Sequence, residues 1–155
     1  MISEWQVLTP VINPVWGTFQ INQYFQEWLN HNDKKKGVPY GSLYLYKDDK
    51  VMQCVNEKRK DANSKDSFQL SNGQIGWGSE ISDKKAFVSY PEYSDKRFFY
   101  YGVKNDDNAD RLDLAYAISI HKRQGSDFDT VVLVLSKNCR LLSRELIYTA
   151  LSTIP

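Results

Sequence analysis

Two strand-like runs near opposite ends of the chain constrain its fold most. Residues 5–10, Trp-Gln-Val-Leu-Thr-Pro, read as a short buried strand closed by a proline that cannot extend a ladder. Residues 131–135, Val-Val-Leu-Val-Leu, read as a second buried strand. Two strands are too few for a sheet unless they share one, so whatever lies between must leave that sheet and return to it. After Gly17, Thr18 can cap a helix in which Phe19, Tyr24, Phe25, Trp28 and Leu29 recur near helical spacing, with Trp5 and Trp28 read as core.

The middle has a different style. Residues 42–46, 50–55, 68–70, 86–90 and 97–101 are short β-prone runs, with turn signals at 47–49, 71–73 and 76–78. Asn72-Gly73 reads as a hairpin turn, and the charged stretch 56–66, with Lys58, Arg59 and Lys60, as a projecting solvated loop. These short strands predict a small, strongly bent barrel. From residue 114 the first style returns: an apolar run to 120, a polar turn over 121–129, the strand 131–135 and a helix over 143–152. The expected architecture is α/β, a parallel-sheet domain made of residues 1–35 and 108–155, interrupted by a β-barrel over 36–107.

Composition narrows the function. The 155 residues carry 20 Lys and Arg against 19 Asp and Glu, so no global basic field draws in nucleic acid and any anion binding must be local. An apolar fraction of 41% is ample for a core. Cys54 and Cys139 stand far apart in no metal-binding spacing, and both are expected to be reduced and buried. No run approaches the roughly 20 apolar residues of a membrane helix. No basic-then-apolar leader opens the chain, so the expectation is a cytoplasmic protein without a membrane partner.

The stretch Leu114-Ala-Tyr-Ala-Ile-Ser-Ile-His-Lys-Arg-Gln-Gly-Ser-Asp-Phe-Asp129 closely resembles a signature of RecD-like superfamily 1 DNA helicases, of the UvrD-like C-terminal type. Three other segments are similar to that family and fall in its order. They are Val7-Leu-Thr-Pro10 with Trp16-Gly-Thr18 and Asn22, then Asp49-Lys-Val-Met-Gln53 with Asn56 and Ser71-Asn-Gly-Gln-Ile-Gly76, then Glu145-Leu-Ile-Tyr-Thr-Ala-Leu151. The resemblance implies a RecA-like domain of the P-loop NTPase type, split by an SH3-like barrel. Its implied role is the C-terminal motor portion of an ATP-dependent 5′→3′ helicase, exodeoxyribonuclease V alpha-like. Single-stranded DNA and an N-terminal RecA-like domain are the implied partners. ATP and magnesium are implied only together with that N-terminal domain, because no Gly-x-x-x-x-Gly-Lys-Ser/Thr loop occurs in this chain.

The same resemblance assigns residues. Thr9, Ser119, His121, Lys122, Arg123 and Ser126 are expected to meet DNA, while Gln124, Gly125 and Asp127 are expected at the nucleotide cleft. Asp127 stands where relatives have a glutamate, one methylene longer. On spacing alone the favoured reading of 121–127 is an ordinary turn with a solvated His-Lys-Arg cluster. Where the family has an arginine for the γ-phosphate, this chain has Thr153, and Arg144 lies on the opposite helix face about 13 Å away. The chain is therefore expected to be inactive as an ATPase by itself. Trp77, Tyr90, Phe98, Phe99, Tyr100 and Tyr101 are candidates for stacking on bases, about half of them being core by alternation. The rival reading is a non-enzymatic, helicase-derived module that engages a protein through its barrel.

Overall fold

The computed structural model describes residues 5–10, 17–30, 37–82, 84–101, 111–123, 128–135, 144, 147 and 148. In chain order the elements are β1 (Trp5–Thr9), α1 (Thr18–Asn30), β2 (Val38–Tyr40), β3 (Leu43–Leu45), β4 (Lys50–Gln53), β5 (Glu57–Lys60) and β6 (Ser67–Leu70). There follow β7 (Ile75–Ser82), β8 (Lys85–Ser89), β9 (Phe98–Tyr101), β10 (Leu112–Leu114), β11 (Ala117–Ser119) and β12 (Thr130–Leu133). Of the helix expected over 143–152, Arg144, Ile147 and Tyr148 are helical and the rest lies outside the described residues. The chain forms two compact units, one of residues 1–29 with 115–155 and one of residues 30–114.

The first unit holds a parallel sheet in the order β11-β1-β12. The two end runs thus do share a sheet, Trp5 to Leu8 pairing in register with Thr130 to Leu133. β1 is the middle strand, and Gln6, Val7, Leu8 and Thr9 are all buried, as a parallel strand covered on both faces requires. Helix α1 packs Phe25 between Trp5, 5.7 Å away between ring centres, and Tyr116, 6.1 Å away and stacked. Trp28 is not core: it is 65% exposed, as Tyr24 is at 67%. At about 100° per residue Tyr24 and Trp28 lie about 40° apart on the flank beside Phe25, whose ring the Tyr24 ring meets edge-on at 6.2 Å. Apolar periodicity gave the helix but could not say which side of a wide apolar stripe is covered.

The second unit is a five-stranded antiparallel sheet, β10-β4-β7-β8-β9, with hairpins β2-β3 and β5-β6. Among the described residues no ladder joins β9 to β10, so the sheet is an open half-barrel. An isolated bridge from Asp61 to Phe98 ties the β5-β6 hairpin to β9. Two expectations fail here. The stretch 76–78, expected as a turn, lies within β7, the longest strand. Its glycines are needed for close approach: a Cβ on Gly76 would run into the Ser89 carbonyl and the Tyr90 ring, and one on Gly78 would meet the Tyr46 carbonyl at 2.6 Å. The charged stretch beginning at 56 is not a loop either, since Glu57–Lys60 is a strand whose exposure alternates. Glu57 and Arg59 turn inward and pair, Nε to Oε1 at 2.6 Å, while Lys58 and Lys60 point to water.

Asn72-Gly73 is a tight turn, with φ of 94° at Gly73, but not one between paired strands. The Gly73 N–H donates to the Gln53 carbonyl of β4 at 2.8 Å, so the turn carries the chain from one sheet to another. Cys54 is half-buried rather than buried, and Cys139 lies outside the described residues.

A buried polar network ties this unit together. The Tyr100 and Tyr90 hydroxyls both donate to Gln53 Oε1, at 2.6 and 3.2 Å, and lie 2.9 Å apart. Gln53 Nε2 donates to Glu57 Oε1 at 2.8 Å, and Arg111 binds the other oxygen of that carboxylate. The Arg59 guanidinium sits 3.8 Å above the Tyr100 ring and donates to the Phe99 carbonyl at 2.8 Å. Burial pushes the Tyr90 and Tyr100 hydroxyls well above their ordinary range and Tyr40 to about 12. Burial opposes ionisation of Glu57 too, but hydrogen bonds from Arg59 and Gln53 and the Arg59 and Arg111 charges outweigh it, so its pKa falls.

Candidate nucleic-acid interface

Residues 114–120 are buried without a break, none more than 6% exposed, and exposure then changes abruptly at His121 and Lys122. That step lies at the carboxyl end of β11, where open parallel sheets present their ligand-binding residues. The apolar run supplies the support. β11 pairs with β1 through Val7 with Ala117, Leu8 with Ile118 and Thr9 with Ser119. Ile120–Arg123 then winds into a 3-10 turn that lifts His121 and Lys122 into solvent.

Two amides lock this strand from the sides. Asn22 of α1 donates from Nδ2 to the Ala117 carbonyl at 2.9 Å and accepts the Ala117 N–H on Oδ1 at 2.7 Å. It mimics a neighbouring strand along the edge of β11 that β1 does not cover. Gln6 is fully buried and its Nε2 lies within hydrogen-bond distance of the carbonyls of Val7, Ala115 and Tyr116. Asn22 is one of the residues that carry the helicase resemblance. Its geometry makes it a clamp on the strand beneath the turn. The signal available was one amide within an otherwise apolar helix face. Asn22→Ala strands two buried backbone groups and should cost about 2–3 kcal/mol, read as a lower urea midpoint with unchanged slope.

The expected site residues separate into groups. Thr9 and Ser119 are brought side by side at the strand ends, but 0% and 6% exposure leaves them under the surface rather than on it. His121 and Lys122 are exposed, and the Arg123 backbone lies in the same turn. Gln124, Gly125, Ser126 and Asp127 lie outside the described residues. Past them, Phe128 is buried again and β12 begins. Among the described residues no three His, Cys, Asp or Glu side chains gather to hold a metal ion, and no helix is long and apolar enough to cross a membrane.

Residues 114–152, the span that holds β11, the turn and β12, match the model of the UvrD-like helicase C-terminal domain. Over 152 residues the chain is 27% identical to the ATP-dependent RecD2 DNA helicase of Deinococcus radiodurans, covering 95% of this chain and 18% of that protein. These likenesses support a superfamily 1 helicase C-terminal domain. A second relative, an uncharacterized protein of Methanocaldococcus jannaschii, is 32% identical over 117 residues, covering 67% of this chain and 10% of that one. The chain thus spans less than a fifth of either relative.

Solved helicase structures share the fold. Pif1 helicase from Bacteroides in complex with ADP-AlF3 and single-stranded DNA superposes with a TM-score of 0.64 at 17% identity, covering 98% of this chain and 38% of that one. The same helicase bound to single-stranded DNA gives 0.60 at 16% identity, over 97% and 38%. Ser119, His121 and Lys122 fall inside the matched span, whereas Thr9 precedes it.

Proposed function

We propose that this domain is the second, RecA-like motor domain of a RecD-like, ATP-dependent 5′→3′ DNA helicase. Its parallel sheet offers the carboxyl ends of β1 and β11 to the backbone of single-stranded DNA, and the antiparallel unit serves as an SH3-like insertion. The observation that carries this is the change from seven buried residues to exposed His121 and Lys122 inside the helicase-matched span. Lys122 supplies a cation and His121 an imidazole N–H donor, both to phosphate oxygens, whereas Thr9 and Ser119 support the turn from below.

Relatives that are helicases give the nucleotide and magnesium a place in a longer protein. The sequence holds no Gly-x-x-x-x-Gly-Lys-Ser/Thr loop, and no metal-binding cluster occurs among the described residues. In the reading proposed here, Gln124, Gly125 and Asp127 would face the cleft shared with a first motor domain.

The test is fluorescence anisotropy with labelled oligo-dT across a salt series. Wild-type protein should bind weakly and lose affinity as salt rises. Lys122→Ala should lower the slope of log K against log salt by about 0.7, one single-strand phosphate contact, and His121→Ala should weaken binding several-fold. Binding at low salt that neither substitution alters would contradict the assignment.

A further inference from the structure

In the antiparallel unit, β8 and β9 pair so that Phe87 lies opposite Phe99 and Lys85 opposite Tyr101. Alternation turns Ala86, Val88, Phe98 and Tyr100 into the core and leaves Lys85, Phe87, Phe99 and Tyr101 on the other face. The result is a row of three rings with a cation at each end. Arg97 lies 5.4 Å from the Phe87 ring centre, and Lys85 lies 5.4 Å from Phe99 and 5.1 Å from Tyr101. Phe99 and Tyr101 meet edge to face at 5.4 Å, and Tyr101 is 55% exposed. Arg97 holds Glu80 at 2.5 Å, while among the described residues Lys84 and Lys85 have no carboxylate partner.

We propose that this outward face of β8 and β9 is a base-stacking platform for single-stranded DNA, separate in sequence from the turn at His121. The occupant follows from the alternation of chemistry. Rings with unsaturated faces suit unpaired bases of any sequence, and cations at the ends of the row suit the phosphates between them. A duplex offers stacked, covered bases and gives the rings nothing to do. The proposal rests on the helicase reading for its ligand class, but on the β8-β9 register alone for its place.

The experiment compares two labelled ligands of equal length and charge, oligo-dT and an abasic deoxyribose-phosphate oligomer, on the intact chain. Stacking makes wild-type protein prefer oligo-dT by about tenfold. Tyr101→Ala, at the most exposed ring, should cut that preference to within about threefold, and adding Phe99→Ala should bring it close to unity. Tyr101→Phe, which keeps the ring, should behave as wild type. Thermal midpoints control for folding. His121→Ala should weaken both ligands alike and leave their ratio unchanged, which separates this site from the backbone contact. Equal wild-type affinity for the two ligands would overturn the platform and leave the His121 contact standing. A preference that survives Tyr101→Ala with Phe99→Ala in a folded protein would also overturn it. Failure to bind either ligand would overturn both readings.

Discussion

Phe98→Ala should lower the unfolding free energy of the antiparallel unit by about 3–5 kcal/mol, among the largest effects of any single truncation in the chain. Phe98 is fully buried, and its ring lies against Tyr93 at 5.8 Å, Tyr90 at 5.9 Å and Phe68 at 6.1 Å. Those three come from β6, from the segment after β8 and from the turn before β9, so the ring is where separate pieces of sheet meet. Its backbone adds the bridge to Asp61 that holds the β5-β6 hairpin. Truncation opens a cavity that the neighbouring rings fill poorly, since the Tyr90 and Tyr93 hydroxyls are held by Gln53 and by the Gln69 carbonyl. Urea unfolding followed by tyrosine fluorescence measures the loss. A cost below about 1 kcal/mol would show that the hairpin does not pack on β9 as described.

Glu57→Ala should cost about 2–3 kcal/mol. Removal leaves the Arg59 and Arg111 guanidinium groups without their shared carboxylate and leaves Gln53 Nε2 with the Val55 carbonyl as its remaining acceptor. The figure is set below the 3–5 kcal/mol of a fully buried pair because Arg111 is 35% exposed and water compensates it in part. The pH dependence has a definite sign. The folded-state pKa of Glu57 lies below its ordinary 4.5, despite burial, because of Arg59, Gln53 and Arg111. Its stabilisation is therefore complete above that ordinary value and is lost as pH falls through the folded-state value. Glu57→Gln keeps the shape without the charge. Wild type should be the more stable of the two near neutral pH, and the gap should close in acid; a gap independent of pH would contradict the ion network.

How much of this was legible in the sequence follows from what each signal measures. The parallel sheet was legible because two strand-like end runs are too few for a sheet unless they share one, but the second was wrongly read as buried: exposure alternates along β12, and Val132 is 49% exposed. The inward and outward sorting of Phe98 to Tyr101 followed from the pleat alone. β5 was not legible, since Glu-Lys-Arg-Lys looks solvated until Glu57 and Arg59 are seen to pair inward with Gln53 and Arg111, residues distant in sequence. β7 was hidden for the opposite reason: glycines that signal a turn locally are there because the Ser89 carbonyl and Tyr46 carbonyl pass close by. Trp28 failed because a helical stripe identifies an apolar face without naming its cover. At the candidate interface the turn at His121 was found through its motif. That Asn22 grips Ala117 depends on a contact across 95 residues, which no local pattern reports.

Hydrogen exchange with and without saturating oligo-dT decides whether the carboxyl ends of the parallel strands are the DNA-facing surface proposed above. Peptides spanning residues 117–123 should exchange more slowly when the oligonucleotide is bound. Bound DNA that leaves exchange over 117–123 unchanged, whatever it protects elsewhere, would contradict the claim.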